Sequence, residues 1–557
     1  MKNTREHKRN SQIWKVGVPL ALLVGLPWTA SAAPDPSTLN IKGMPDSGRI
    51  LNELEPERRI TPQQAKPQID TDIPVVQQGS KELRARIDRI DYLCSELDVG
   101  KVLKDEMQPY LGKEMDFEEM QELAQKVTAS LRRKGYMTAV AYVPAQDIVD
   151  HTLKIKVIIG HIGDLHIDNT SALLDSRLLA YMKDIHPGQL IESQRLEKTL
   201  LALNDIPGLK VTASMQPGKR RGSADLMLKV FDLEREGSYL SYDNYGSKST
   251  GRNRFGIEYH YNNLTNVGDQ ISLSGMTSTD DLHNFQMRYS VPVGSDGASL
   301  HLTAGQMNYV LGGQYDYLNA DGLTNTYELG VSIPMRRTYA QSHFYSINAR
   351  HRDIHDYVLS GMYGTEKASD SLEGDLYGYY RDGRNSFSYT LGHVVGNLHL
   401  KRNNYSAPDA VGNYHKSLVD LYYIHDIDRD WQLHFSMSGQ YGWTPLDSSE
   451  QFYISGADAV RAFVQGEAGG RSGMLGTLEL RRILGRSGLT ATAFVDAGRI
   501  MGDGTKDLAG AGFGLIYQKS RDWYGKFDWA TPLGCHYSES LGKDVTSTAW
   551  LRLVKQF

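Results

Sequence analysis

In this chain of 557 residues, the side chains best suited to chemistry are few and widely spaced. Val460-Arg461-Ala462-Phe463 precedes a glycine-rich run from Gly466 to Gly473, and about thirty residues later comes Phe494-Val495-Asp496-Ala497-Gly498. By strand alternation Asp496 shares a face with Phe494 and Gly498, while Val495 and Ala497 point the other way. Two readings of Arg461 stay open on these residues. Either it meets Asp496, with Gly498 leaving room for the approach, or it faces solvent and Asp496 is unpaired. Catalytic chemistry has no comparable support. The 17 His include no H-E-x-x-H or similar zinc spacing, and no G-x-S-x-G elbow occurs. Gly246 to Gly251 is followed by Arg252-Asn253 where a phosphate loop needs Lys and Ser or Thr. The expectation is a non-enzyme that needs no metal and no cofactor.

The elements that carry these residues read as strands. Residues 233–557 hold 27 of the 32 Tyr and 40 of the 54 Gly. Sixteen segments of about ten residues alternate in polarity there, among them 239–245, 254–261, 325–333, 344–350, 372–380, 387–395, 490–498 and 546–553. Short turns such as Asp382-Gly383-Arg384 alternate with long loops near 309–324, 397–414 and 444–473. An even strand number, loops of alternating length and tyrosine-rich strand ends define a sixteen-stranded transmembrane β-barrel over 233–557. A closed barrel satisfies every backbone group in lipid without long apolar runs. The longest apolar run, residues 16–26, is too short to span, and the mean hydropathy of -0.44 argues against membrane helices.

The N-terminal part is different material. Lys2, Arg5, Lys8, Arg9 and Lys15, an apolar stretch and Ala30-Ser31-Ala32 form a secretory signal peptide over residues 1–32. Its removal takes away five basic charges and Glu6, so the net charge of -5 becomes -9, a poor balance for nucleic acid. Residues 33–80 read as a linker containing a short helix over 48–59, with Ile50, Leu51 and Leu54 on one face. Periodicity alone favours a frayed terminal helix there. Residues 81–159 and 160–232 repeat a β-α-α-β-β order, with Gly112 and Gly188 76 residues apart and Gly135 and Gly208 73 apart. Asp116 with Glu119 opens the long helix of the first copy as a capping box, and Gly135 closes it. Cys94 and Cys535 lie in different domains and read as two separate thiols.

At this point the chain resembles the outer-membrane transporters of two-partner secretion, the haemolysin and adhesin secretion/activation type. The resemblance rests on Gly135-Tyr136 with Val143-Pro144-Ala145-Gln146, on Asp243-Asn244-Tyr245-Gly246 with Thr250-Gly251, and on Asn263-Leu264 with Gly268-Asp269. It continues through 460–463 and 494–498 to Phe557. It implies two periplasmic POTRA domains (81–159 and 160–232), a sixteen-stranded barrel in the outer membrane, and a loop over 444–473 folded inward. It also turns the helix with Ile50, Leu51 and Leu54 into a pore plug and gives Phe557 the role of a barrel assembly signal. The implied partners are an unfolded secreted exoprotein bound by the POTRA domains, outer-membrane lipid, periplasmic chaperones and the barrel assembly machinery, with no nucleic acid. The family's loop-tip motif is Val-Arg-Gly-Tyr, whose Arg engages the Asp of Phe-x-Asp-x-Gly. Arg461 and Asp496 match it, whereas Ala462 and Phe463 depart, narrowing the backbone options and removing a hydroxyl. The alternative functions are an outer-membrane protein insertase, which usually has more POTRA repeats, and a passive porin, which needs none.

Overall fold

The computed structural model describes residues 44–54 and 84–557, apart from 221, 234, 405–409, 503, 519–521, 535, 536, 539 and 540. The expected signal peptide, most of the linker and Cys535 lie outside the described residues. Among those described, no helix is long and apolar enough to cross a membrane.

The first α/β unit grows from local signals. Asp116 accepts from the Glu119 amide while Glu119 accepts from the Asp116 amide, each at 2.8 Å, and the helix Phe117–Arg133 follows. Met120, Leu123, Ala124, Val127 and Leu131 form its buried stripe, packed in one core with Leu153, Ile155 and Val157 of the strand Thr152–Ile158. The single strand expected over 85–93 is split into Ala85–Ile87 and Arg89–Leu93. The amides of Asp88 and Arg89 both turn to the His151 carbonyl, which changes the pairing partner from Lys113–Met115 to Thr152–Ile158. The strand expected over 137–143 shrinks to Val140–Tyr142, because the Ala139 amide bonds back to the Tyr136 carbonyl in a turn.

The second unit has the same topology. In each, the last strand is central, parallel to the first and antiparallel to the one before it: Thr152–Ile158 here, Ser223–Asp232 there. Two helices, Asp175–Tyr181 and Ser193–Asn204, cover the second sheet.

All sixteen barrel strands are present and close antiparallel from Glu236–Asp243 to Thr548–Gln556. Four are far longer than the expected ten residues: Asp321–Arg337, Gln341–Val358, Tyr363–Asp382 and Asn385–Asn403, of 17, 18, 20 and 19 residues. Their outer face is apolar at Leu329, Ile347, Leu372 and Val395, then turns polar, with His351 bonded to Asp370 and Lys401 paired with Asp353. Alternation fades where both faces are wet, so 397–403 and 412–414 of the loop expected near 397–414 are strand, whereas the loop expected near 309–324 gives up only its ends, 309–310 and 321–324. The first and last strands pair over only five residues, Asp243↔Arg552 to Tyr239↔Gln556. Beyond them the Asn244 side-chain amide stands in for backbone, accepting from the Leu551 amide at 2.8 Å and donating to the Ala549 carbonyl at 3.0 Å.

The second α/β unit is fastened to turns at one end of the barrel, called here the near end. Arg177 donates to the Pro292 carbonyl, Lys183 and Lys198 share Asp296, and Arg337 pairs with Asp205.

Candidate functional site

The loop between Gly442 and Ser472 leaves the far end of the barrel and folds into the lumen. Charged wall residues fix its base, a short 3-10 helix at Ser448–Glu450. Lys416 and Arg352 reach Glu450 at 2.8 and 3.1 Å, and Lys367 reaches Asp447 at 2.8 Å. A small hairpin, Phe452–Tyr453 on Gly469–Gly470, then carries the tip inward.

At the tip the structure brings Arg461 and Asp496 together. The guanidinium grips both carboxylate oxygens, Nε to Oδ2 at 2.9 Å and Nη2 to Oδ1 at 2.8 Å, and the Arg461 amide adds a third bond at 3.2 Å. A bidentate fork of this kind is strong and directional. Arg461 is 4 % exposed and Asp496 is fully buried, so the pair is dry. The Arg461 carbon of the guanidinium lies 3.2 Å from the centroid of the Phe494 ring. Val460, Ala462 and Phe463 are fully buried, and they pack in one apolar cluster with Ile454, Phe494, Ile500, Leu508 and Ala530.

More residues hold this tip than the two motifs contain. Arg461 also reaches Glu479 at 2.9 Å and Asp528 at 3.4 Å, while Arg481 and Lys526 bond the same two acids. Three cations therefore face three carboxylates, Glu479 and Asp496 on adjacent strands and Asp528 across the glycine-bearing strand Lys506–Tyr517, and the Thr477 hydroxyl donates to Asp496. The last strand clasps the tip's main chain: the Trp550 indole donates to the Arg461 carbonyl at 2.7 Å and the Thr548 hydroxyl to the Ala462 carbonyl at 3.0 Å. None of these partners stands out in isolation. The alternation Thr477-x-Glu479-x-Arg481 is their only sequence signal.

Glycine makes the space. Gly498 faces Ile454 rather than Arg461: a Cβ there would lie 2.9 Å from the Ile454 Cβ. The approach of the tip itself depends on Gly510, Gly512 and Gly514, which alternate along Lys506–Tyr517 opposite Asp496, Phe494 and Thr492. A Cβ on Gly510 would sit 2.5 Å from the Ala462 Cβ, and one on Gly512 would meet the Phe494 ring. Such a contact is tighter than any real packing tolerates, so Gly510→Ala should disrupt the seating of the tip and open the loop to added protease. Adding Ala462→Gly should restore the seating, and a double variant as readily cleaved as the single one would remove this steric account. Limited proteolysis of the three variants makes the comparison.

The lumen also holds the helix Ser47–Leu54, shorter than the expected 48–59 within the described residues. Asp46 accepts from the Arg49 amide at 2.9 Å as its cap. The Ser47 amide bonds the wall carboxylate of Asp356 at 2.8 Å, and Asn52 donates to the Ser448 carbonyl at 2.9 Å. Gly48 lies so close to the loop base that a Cβ would come within 2.5 Å of the Ser449 nitrogen. Ile50 is buried, whereas Leu51 and Leu54 face a lumenal cavity of about 610 Å³ lined by Gln286, Arg288, Glu328 and Arg350. The three apolar residues thus serve different surroundings, not one uniform face. Phe557 lies at the near end, 64 % exposed, its amide bonded to the Ser238 carbonyl at 2.9 Å.

A closed sixteen-stranded barrel with an apolar outer wall, a loop drawn into its lumen and α/β units at one mouth defines an outer-membrane transporter with a POTRA domain. Residues 86–160 match the ShlB-type POTRA domain, and residues 222–517, more than half of the chain, match the haemolysin secretion/activation protein family ShlB/FhaC/HecB. The chain belongs to that family of two-partner secretion transporters; it is an outer-membrane protein with its POTRA domain in the periplasm. Among its relatives is the heme/hemopexin transporter protein HuxB of Haemophilus influenzae (strain 86-028NP), 27% identical over 480 residues, covering 82% of this chain and 84% of the relative. The outer membrane transporter CdiB of Dickeya dadantii (strain 3937) is 22% identical over 425 residues, 70% of this chain and 72% of its own. The solved structure of CdiB from Escherichia coli superposes with a TM-score of 0.69 at 20% identity, covering 87% of this chain and 93% of that one, which establishes a common fold.

Proposed function

We propose that the chain captures an unfolded secreted partner, of haemolysin or adhesin type, at its periplasmic α/β units and exports it through the barrel lumen. The observation that carries this reading is the inward loop, locked into the wall by Arg461 and Asp496 while resting on a separate lumenal helix. A passive pore has no use for a movable obstruction fastened at two places. In this reading residues 1–32 are the signal peptide, the helix within 33–80 is the plug, 81–159 and 160–232 are both POTRA domains, and Phe557 directs assembly by way of periplasmic chaperones and the barrel machinery. The outer strands of the two sheets, Val140–Tyr142 and Leu209–Pro217, offer edges to which an extended polypeptide adds as a further strand. Main-chain pairing of that kind accepts many sequences. Folding of the passenger outside the cell supplies the direction. The heme/hemopexin name of the HuxB relative makes a protein that engages haem carriers one class of passenger to try.

The test is co-expression with a candidate passenger, a large exported protein of haemolysin or adhesin type. Deletion of residues 84–159 should leave the barrel assembled and stop release of the passenger into the medium. Undiminished release would overturn capture by the first unit.

A further inference from the structure

A second cavity lies beneath the loop tip, at the near end of the lumen, where the last two strands meet the first. Its volume is about 420 Å³, and Tyr239, Tyr245, Tyr524, Lys526, Arg552 and Asp458 line it. Lys526 and Arg552 are direct cross-strand partners there. Like charges set directly opposite destabilise a sheet, so a pair of cations in this position calls for a counter-charge. The row continues across the seam to Asp243 and Arg254. Asp243 does not serve Arg552, because Arg254 takes both its oxygens at 2.7 and 3.2 Å and the Tyr245 amide adds a further bond. Lys526 has Asp528 at 3.1 Å, an acid already shared with Arg461. Arg552 has no hydrogen bond or ion pair among the described residues and is exposed to the cavity. Of the acids on the cavity, Asp522 faces Lys555 at 4.0 Å, and Asp458 hangs from the loop tip without an ion-pair partner among the described residues.

We propose that Arg552 and Lys526 form a binding site for carboxylate groups of the polypeptide entering the barrel. The site rests on the export reading only for the source of its ligand. It lies at the mouth that faces the periplasmic units, and Tyr239 and Tyr524 supply apolar faces with polar tips, suited to an extended chain, while Tyr245 is buried behind them against Trp550. A guanidinium with an open fork prefers carboxylate over other polar groups of a peptide. An incoming carboxylate also competes with Asp458 for the same cations, so occupancy weakens one of the attractions that hold the loop tip down.

The probe is a fluorescently labelled acidic octapeptide, alternating Ser and Glu, with its Ser-Lys counterpart as control. Binding to the full chain in lipid nanodiscs is followed by anisotropy. Arg552→Gln should weaken the acidic peptide about tenfold, equivalent to about 1.4 kcal/mol, and Arg552→Lys should fall in between. Inorganic phosphate at equal ionic strength should displace the peptide poorly. Equal affinity of the Gln variant for the acidic peptide would overturn the proposal, as would displacement by phosphate at the peptide's own concentration, which marks an unspecific anion site. Passenger export measured beside this separates the two readings: loss of peptide binding with export intact removes this site alone.

Discussion

Arg461→Ala should stop secretion while leaving an assembled barrel. The barrel is held by a closed ladder of backbone bonds that does not pass through the loop. The seating of the tip does depend on this one side chain, which touches Asp496, Glu479, Asp528 and Phe494 at once. Removing one partner of a buried ion pair costs roughly 3–5 kcal/mol, about two to four orders of magnitude in the ratio of seated to unseated loop. Arg481 and Lys526 stay behind to soften the loss on Glu479 and Asp528, but Asp496 loses its only cation and keeps the Thr477 hydroxyl and the main-chain amide of residue 461. Arg461→Lys retains the charge without the fork and should secrete at an intermediate level. Passenger in the medium reports secretion, and slower gel migration on heating reports the folded barrel. Normal secretion by the Ala variant would end any role for the ion pair in transport.

Deletion of residues 33–60 should raise single-channel conductance several-fold. The lumenal helix within that stretch is eight residues, about 12 Å long and about 10 Å across with its side chains. A sixteen-stranded barrel otherwise leaves an aqueous channel. Here Leu51 and Leu54 border one lumenal cavity, of about 610 Å³, while Asn52 and Glu53 border a second, of about 280 Å³. The helix divides the two, and its removal joins them. Planar-bilayer recordings of the deletion and of Gly48→Val, whose side chain would strike the loop base, provide the measurement. Unchanged conductance in the deletion would argue against a plug.

The architecture was largely legible because a barrel wall alternates dry and wet faces, and period two survives in sixteen segments. What the alternation cannot report is where a strand ends once it leaves the apolar band. Residues such as His351, Asp353, Asp370 and Lys401 are outward-facing yet polar, so Gln341–Val358 and its neighbours looked shorter than they are. The repeat of α/β units was visible in glycine spacing and in the Asp116–Glu119 box because caps and turns are local. At the tip, the spacing of Arg461 and Asp496 left two arrangements open, since a loop of this length can lie inside or outside with equal periodicity. Glu479, Asp528 and Trp550 come from three other strands, and only closure of the barrel sets them around one guanidinium. The dependence of the tip on Gly510 rather than Gly498 was likewise a matter of which strand lies beneath it.

The stripe at Gly510, Gly512 and Gly514 has a consequence for the passage of the exported chain. When the tip sits down, the stripe is filled by Ala462, the Phe494 ring and the Asp528 carboxylate. When the tip lifts, only Ala462 leaves, because Phe494 and Asp528 belong to the wall strands and remain over Gly512 and Gly514. The wall uncovered in this way is one bare step of main chain at Gly510, set between an aromatic ring and the carboxylates of Asp496 and Asp528. A passing chain would meet an apolar face and an anionic one side by side, so basic and aromatic residues would linger there while acidic ones would slip past.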